Sequence, residues 1–149
     1  MTARTVEHAT FTIERTYQAA PNRVFAAWAT PESKARWFAP DATEHTMDFR
    51  AGGAERNSGD GDPDGPLLVF ESTYHDIVEA ERIVFSSSLL TDGAVVTVSL
   101  TTVELRPDDG RTHLVLTQHS AFLDGHEQPS WREAGTRSQL DALDAELAA

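Results

Sequence analysis

Apolar and polar residues alternate at the start of the chain. From Thr10 to Tyr17, Phe11, Ile13, Arg15 and Tyr17 fall on one parity, and Thr10, Thr12, Glu14 and Thr16 on the other. A two-residue period of this kind predicts a strand with one buried face. Ala20-Pro21 then opens a short helix, because proline suits the first helical turn, and Val24, Phe25 and Trp28 share a face there. Thr30-Pro31-Glu32 repeats the signal with a capping threonine, a proline and an acid at the positive helix end. This second helix carries Lys34, Ala35, Arg36, Trp37 and Phe38 before Pro40 stops it.

From Glu44 to Ser120 the period returns to two. His45, Met47 and Phe49 share a face of a strand predicted to run to Arg50; Gly52-Gly53 turns it, and Ala54 to Asn57 makes a short strand. Ser58 to Pro66 is a Gly/Asp/Pro loop, after which Leu68, Phe70, Ser72 and Tyr74 share a strand face and Ile83 and Phe85 mark another. Asp92-Gly93 is a two-residue hairpin signal leading into Ala94 to Arg106, and Pro107 to Gly110 turns that into Arg111 to Ser120. A helix over Glu127 to Ala148 closes the chain, with Leu140, Leu143 and Leu147 in one stripe. Strands joined by hairpins form an antiparallel sheet, and its apolar face needs a cover that only the last helix is long enough to supply. The expected class is α+β: a curved antiparallel sheet gripping one long C-terminal helix, with two short helices after the first strand.

Composition narrows the function. The 149 residues suit a single domain over 1–149. No apolar run could cross a bilayer and the start has no secretory pattern, so the cytoplasm is the expected compartment. The absence of cysteine excludes disulfides, thiolate metal sites and cysteine nucleophiles. There are 24 acidic and 12 basic residues, all but one of the basic ones Arg, for a formal net charge of −12. Such a chain repels phosphate backbones and anionic lipid heads, which argues against nucleic-acid and membrane-surface roles.

The candidate chemistry is sparse. Asp60-Gly61-Asp62-Pro63-Asp64-Gly65 with Glu71 matches the spacing of a calcium loop, but the flanks lack helices and Pro63 stiffens the wrap, so an exposed acidic turn is expected. His113 and His119 share the parity opposite Leu114 and Leu116 and are expected to face solvent. No histidine cluster has metal-ligand spacing, and no nucleophile elbow, phosphate loop or dinucleotide fingerprint occurs. The expectation is no metal, no cofactor and no catalytic constellation.

Glu14-Arg15-Thr16-Tyr17, Ala20-Pro21, Val24-Phe25, Ala27-Trp28, Pro31-Glu32 and Arg36-Trp37 together resemble the N-terminal signature of a bacterial START-like group. Asp48-x-Arg50-x-Gly52-Gly53, Ile77-Val78 with Glu81-Arg82-Ile83-Val84-Phe85, Leu114-x-Leu116-Thr117-Gln118 and the Leu140 helix follow in the same order. Over Thr10 to Ala148 the chain resembles the SRPBCC superfamily, within it the family named after the activator of the heat-shock-protein-90 ATPase. One motif departs. Many members carry Gly-Trp before the first helix leucine; here the pair reads Gly135-Thr136, and the tryptophan sits at Trp131, off the leucine stripe at about 100° per residue.

The resemblance implies a helix-grip fold with a cavity between sheet and long helix. Such cavities bind small, mostly apolar molecules. The candidates to line it are Trp37, Phe38, His45, Met47, Phe70, Tyr74, Leu116, Gln118 and Trp131, with Gln118 and His45 as polar contacts and Trp28 and Phe25 read as core. Of the adjacent rings Trp37 and Phe38, one is expected in the core and the other at the mouth. Three roles follow from the resemblance: a non-enzymatic holder of a hydrophobic or aromatic ligand, a cyclase/aromatase-like or hydrolase-like enzyme using the same cavity, and a co-chaperone. The holder is expected to be a monomer or homodimer.

Overall fold

In the computed structural model, which describes residues 4–59 and 67–149, seven strands hydrogen-bond into one antiparallel sheet. The elements run β1 (Val6–Tyr17), α1 (Pro21–Ala29), α2 (Pro31–Phe38), β2 (Glu44–Met47), β3 (Ala54–Gly59), β4 (Leu68–Val78), β5 (Arg82–Thr91), β6 (Ala94–Asp108), β7 (Arg111–Leu123) and α3 (Pro129–Ala148). The strand order is β1-β7-β6-β5-β4-β3-β2. Consecutive β1 and β2 thus lie at opposite edges, and α1 and α2 bridge them. Bulges after Tyr74 and Leu89 interrupt the ladder, as expected of a curved sheet.

Turn chemistry sets the register. Asp92 and Gly93, and likewise Asp109 and Gly110, all have positive φ, so each pair closes a two-residue hairpin, Thr91 opposite Ala94 and Asp108 opposite Arg111. The alternation then follows strand by strand. Ile13, Tyr17, Tyr74, Ile83, Phe85, Val103, Leu105, Leu114 and Leu116 are buried, with Leu140 and Leu143 of α3 in the same core. Tyr17 donates its hydroxyl to the Leu140 carbonyl at 2.8 Å, which ties β1 to α3. Ser33 and Arg36 of α2 reach Glu146 of α3 at 2.9 and 2.6 Å.

The boundaries differ from expectation in six places, two of them the ends of β6 and β7, which run on to Asp108 and Leu123 as their ladder continues. The first strand begins at Val6, because Thr5 and Asp124 bond to each other and extend the β1–β7 ladder. β2 stops at Met47, since the backbone turns at once through Asp48, Arg50 and Gly53. β3 runs on to Gly59 because Ser58 and Gly59 pair with Val69 and Leu68. α3 starts at Pro129 rather than Glu127, with proline in its first turn. Asp60 to Gly65, the calcium-like run, lies outside the described residues; its described flanks, β3 and β4, are strands.

Leu143 is fully buried where α3 meets the core. Leu143→Ala is expected to lower stability by about 2–5 kcal/mol, read from urea unfolding midpoints at constant m-value.

Candidate functional site

A cavity of about 260 Å³ lies between α3 and the sheet. Its helical wall is aromatic. Trp28, Trp37 and Phe38 continue to Phe70 of β4 as a run of tilted rings, with centroids 4.7, 5.6 and 5.6 Å apart. Edge-to-face contacts of this kind hold rings in fixed relative orientations. The floor is mixed: Phe85, Leu89 and Leu116 are apolar, while Asn57, Thr101 and Gln118 are polar. On the same strand parity, Ser72, Ser87, Ser99 and Ser120 stand in register across β4 to β7, all buried. They pair by hydroxyl hydrogen bonds, Ser72 to Ser87 at 3.0 Å and Ser99 to Ser120 at 2.7 Å.

Trp131, Arg132, Gly135, Thr136, Gln139 and Leu140 of α3 complete the lining. Arg132 binds Glu127 at 2.9 Å, and Glu127 also accepts from the Thr97 hydroxyl at 2.6 Å. Glu127 thus lies just ahead of the helix, whose first turn opens at Pro129. Gln139 donates to the Phe38 carbonyl at 2.9 Å and holds the end of α2 beside α3.

Behind the aromatic wall sits a buried polar cluster. Lys34, 1 % exposed, donates to Glu55 Oε1 at 2.8 Å, and Glu55 is 2 % exposed. Tyr74 donates its hydroxyl to the same oxygen at 2.5 Å, while His45 Nε2 meets Glu55 Oε2 at 2.8 Å. The ammonium also lies 5.2, 5.9 and 4.3 Å from the ring centroids of Trp28, Trp37 and Phe38. Cation–π attraction therefore binds the cluster to the wall. Burial alone would raise the Glu55 carboxyl, but the Lys34 charge and the hydrogen bonds from His45, Lys34 and Tyr74 hold it below its ordinary value. Burial draws Lys34 down, with Glu55 opposing, and pushes the Tyr74 phenol up. Gly53 positions this corner: a Cβ there would meet the Asp48 carbonyl oxygen at 2.0 Å, and its own carbonyl accepts from Tyr74 N–H.

Of the side chains expected to line the cavity, Trp37, Phe38, Phe70, Leu116, Gln118 and Trp131 do. Trp37 is buried and donates its indole N–H to the Ala27 carbonyl, while Phe38 is half-buried beside it. Trp131 is 59 % exposed, at the rim. His45, Met47 and Tyr74 do not line the cavity. His45 and Tyr74 turn to Glu55 instead, and Met47 packs on the core. Trp28, read as core, is both buried and cavity-lining. Asp48 is exposed and pairs with Arg50, and His113 and His119 bond to Glu14 and Thr10 on the outer face. Among the described residues no three His, Asp or Glu side chains gather as a metal site. Lys34 and Glu55 belong to no motif that marks a site, although the helical spacing from Lys34 to Trp37 and Phe38 puts a lysine on an aromatic face.

The sequence pattern of the family described as "Activator of Hsp90 ATPase homolog 1-like protein" matches residues 18–148. The chain belongs to this family. An uncharacterised protein from Rhizobium leguminosarum of known structure is 40 % identical, covers 99 % of each chain and superposes with a TM-score of 0.94. A protein from Rhizobium loti is 43 % identical over 95 % of this chain and 99 % of its own, with a TM-score of 0.90. One from Chromobacterium violaceum is 25 % identical over 94 % and 97 %, with a TM-score of 0.78. No curated protein matches the chain. The helix-grip architecture of the SRPBCC superfamily is thus that of this family member, and none of its described helices is long and apolar enough to cross a membrane. Where many members of the family carry tryptophan, this one has Thr136, buried against the cavity with its hydroxyl on the Arg132 carbonyl.

Removing one partner of a buried ion pair leaves an uncompensated charge and costs about 3–5 kcal/mol. Glu55→Gln should lose about that much at neutral pH in urea unfolding, and the double variant Lys34→Met/Glu55→Leu should lose less. The acid dependence has a definite sign. The folded carboxyl lies below its ordinary 4.5, so as pH falls from about 5 the unfolded chain takes up the proton first and stability drops. Glu55→Gln should flatten that acid limb in the same measurement.

Proposed function

We propose that this protein binds a small, mostly apolar aromatic molecule in the cavity between α3 and the sheet. The observation that carries the reading is the lining itself: an aromatic wall facing a floor with a few placed polar groups. An apolar cavity of about 150 Å³ is enough for benzene, so about 260 Å³ suits two fused rings. Thr136 and Gly135, both small, leave that space open on the α3 side.

The enzymatic alternative requires a titratable group facing the ligand. The charged side chains on the described lining are Glu127 and Arg132, and they neutralise each other. Glu55 and His45 bond within the cluster behind the rings and are not on the lining.

Equilibrium dialysis with naphthalene should show saturable binding at one site per chain. Thr136→Trp should fill the cavity and weaken binding at least tenfold, with urea unfolding confirming a folded variant. Gly135→Leu, placed where a Cβ meets nothing within 4 Å, should weaken binding independently. Undiminished affinity in both folded variants would place any ligand elsewhere.

A further inference from the structure

We infer that the ligand is an uncharged hydroxylated aromatic whose hydroxyl donates to Gln118 Oε1. The inference rests on the binding reading above and names the chemistry of that same site. Gln118 is 7 % exposed and lines the cavity floor from β7, directly across from Thr101 of β6. Its Nε2 donates to the Thr101 hydroxyl at 2.9 Å, which fixes the plane of the carboxamide. Oε1, at the other end of that group, is buried and has no hydrogen-bond partner among the described residues. Buried amide oxygens are seldom left so, because an acceptor removed from water without a donor is destabilising. A donor carried by the cavity's occupant completes it.

A second orphan lies on the same lining. Trp28 Nε1, a buried donor, also has no partner among the described residues. The lining therefore holds one open acceptor and one open donor, and a hydroxyl can serve either, whereas an ether or ketone can only accept. Charge is selected against. Arg132 is held by Glu127 at 2.9 Å, and Glu127 is shared with Thr97, so an anionic ligand meets a cation already neutralised. The chain's formal net charge of −12 works against anions too. Flat rings match the Trp28, Trp37 and Phe38 wall, and the hydroxyl matches the floor opposite.

The test is equilibrium dialysis of the full chain at neutral pH against four probes: naphthalene, 2-naphthol, 2-methoxynaphthalene and 2-naphthoate. The expected order is 2-naphthol tightest, about tenfold tighter than its methyl ether, with 2-naphthoate weaker than naphthalene. Gln118→Leu, its fold checked by urea unfolding, should bring 2-naphthol down to the level of the ether. Should Gln118→Leu not fold, Gln118→Met is read the same way, and the wild-type ratio of naphthol to ether decides in either case. Equal affinity for naphthol and ether in the wild type would overturn this inference and leave the cavity reading standing. A naphthol preference that survives in folded Gln118→Leu would overturn the assignment to Gln118. Failure of the wild type to bind any of the four would overturn both.

Discussion

A single ammonium–carboxylate contact of 2.8 Å, sealed from water, decides where the second helix lies. Lys34 stands on α2 and Glu55 on β3, so the pair joins the helix to the strand just inside the β2 edge of the sheet. Neither charge has access to solvent. Such a pair tolerates little displacement, because separation would leave two unsolvated ions. With α2 held there, Trp37 and Phe38 follow by helical spacing at three and four residues, which places both rings on the cavity wall, Trp37 buried and Phe38 half-buried. The wall of the site is thus a by-product of an electrostatic constraint located behind it.

The opposite side of the cavity is built on another logic. Strand period two delivers every second residue of β4 to β7 to one face, and on that face apolar side chains share the surface with serine, threonine and glutamine. The serine row meets its own needs through paired hydroxyls. Gln118 does so by half. A floor of small hydroxyl-bearing side chains takes up less volume than leucines would, and it prefers occupants that hydrogen-bond in fixed directions.

Much of this was legible in the residues. Thr30-Pro31 and Asp92-Gly93 carry their geometry locally, since proline fixes φ and an Asp-Gly pair tolerates positive φ, and the elements they bound lie where expected. Trp37, Phe38 and Phe70 could be placed near one seam from periodicity and the family resemblance. The partners of Glu55 could not. Its parity puts it on the inner face, yet only the long-range meeting of α2, β2, β3 and β4 brings Lys34, His45 and Tyr74 to one carboxylate. His45 and Tyr74 read as ligand contacts because a polar tip on an inward face suits a cavity and a buried ion pair equally well. Pro129 carried a local start signal for α3, as Pro21 and Pro31 do for α1 and α2, whereas the contact of Glu127 with Thr97 is long-range and had none.

Lys34 is also the chain's single lysine; every other cationic side chain, histidine aside, is a guanidinium. Acylating reagents and lysine-specific proteases therefore find, in the native protein, a side-chain amine shielded by three rings and a carboxylate. Because α2 must lift from the sheet before that amine reaches solvent, its modification or cleavage after residue 34 would time the opening of the helix–sheet seam, one event per molecule. The protein thus carries an internal clock for its own unfolding, set in the helix that walls the cavity.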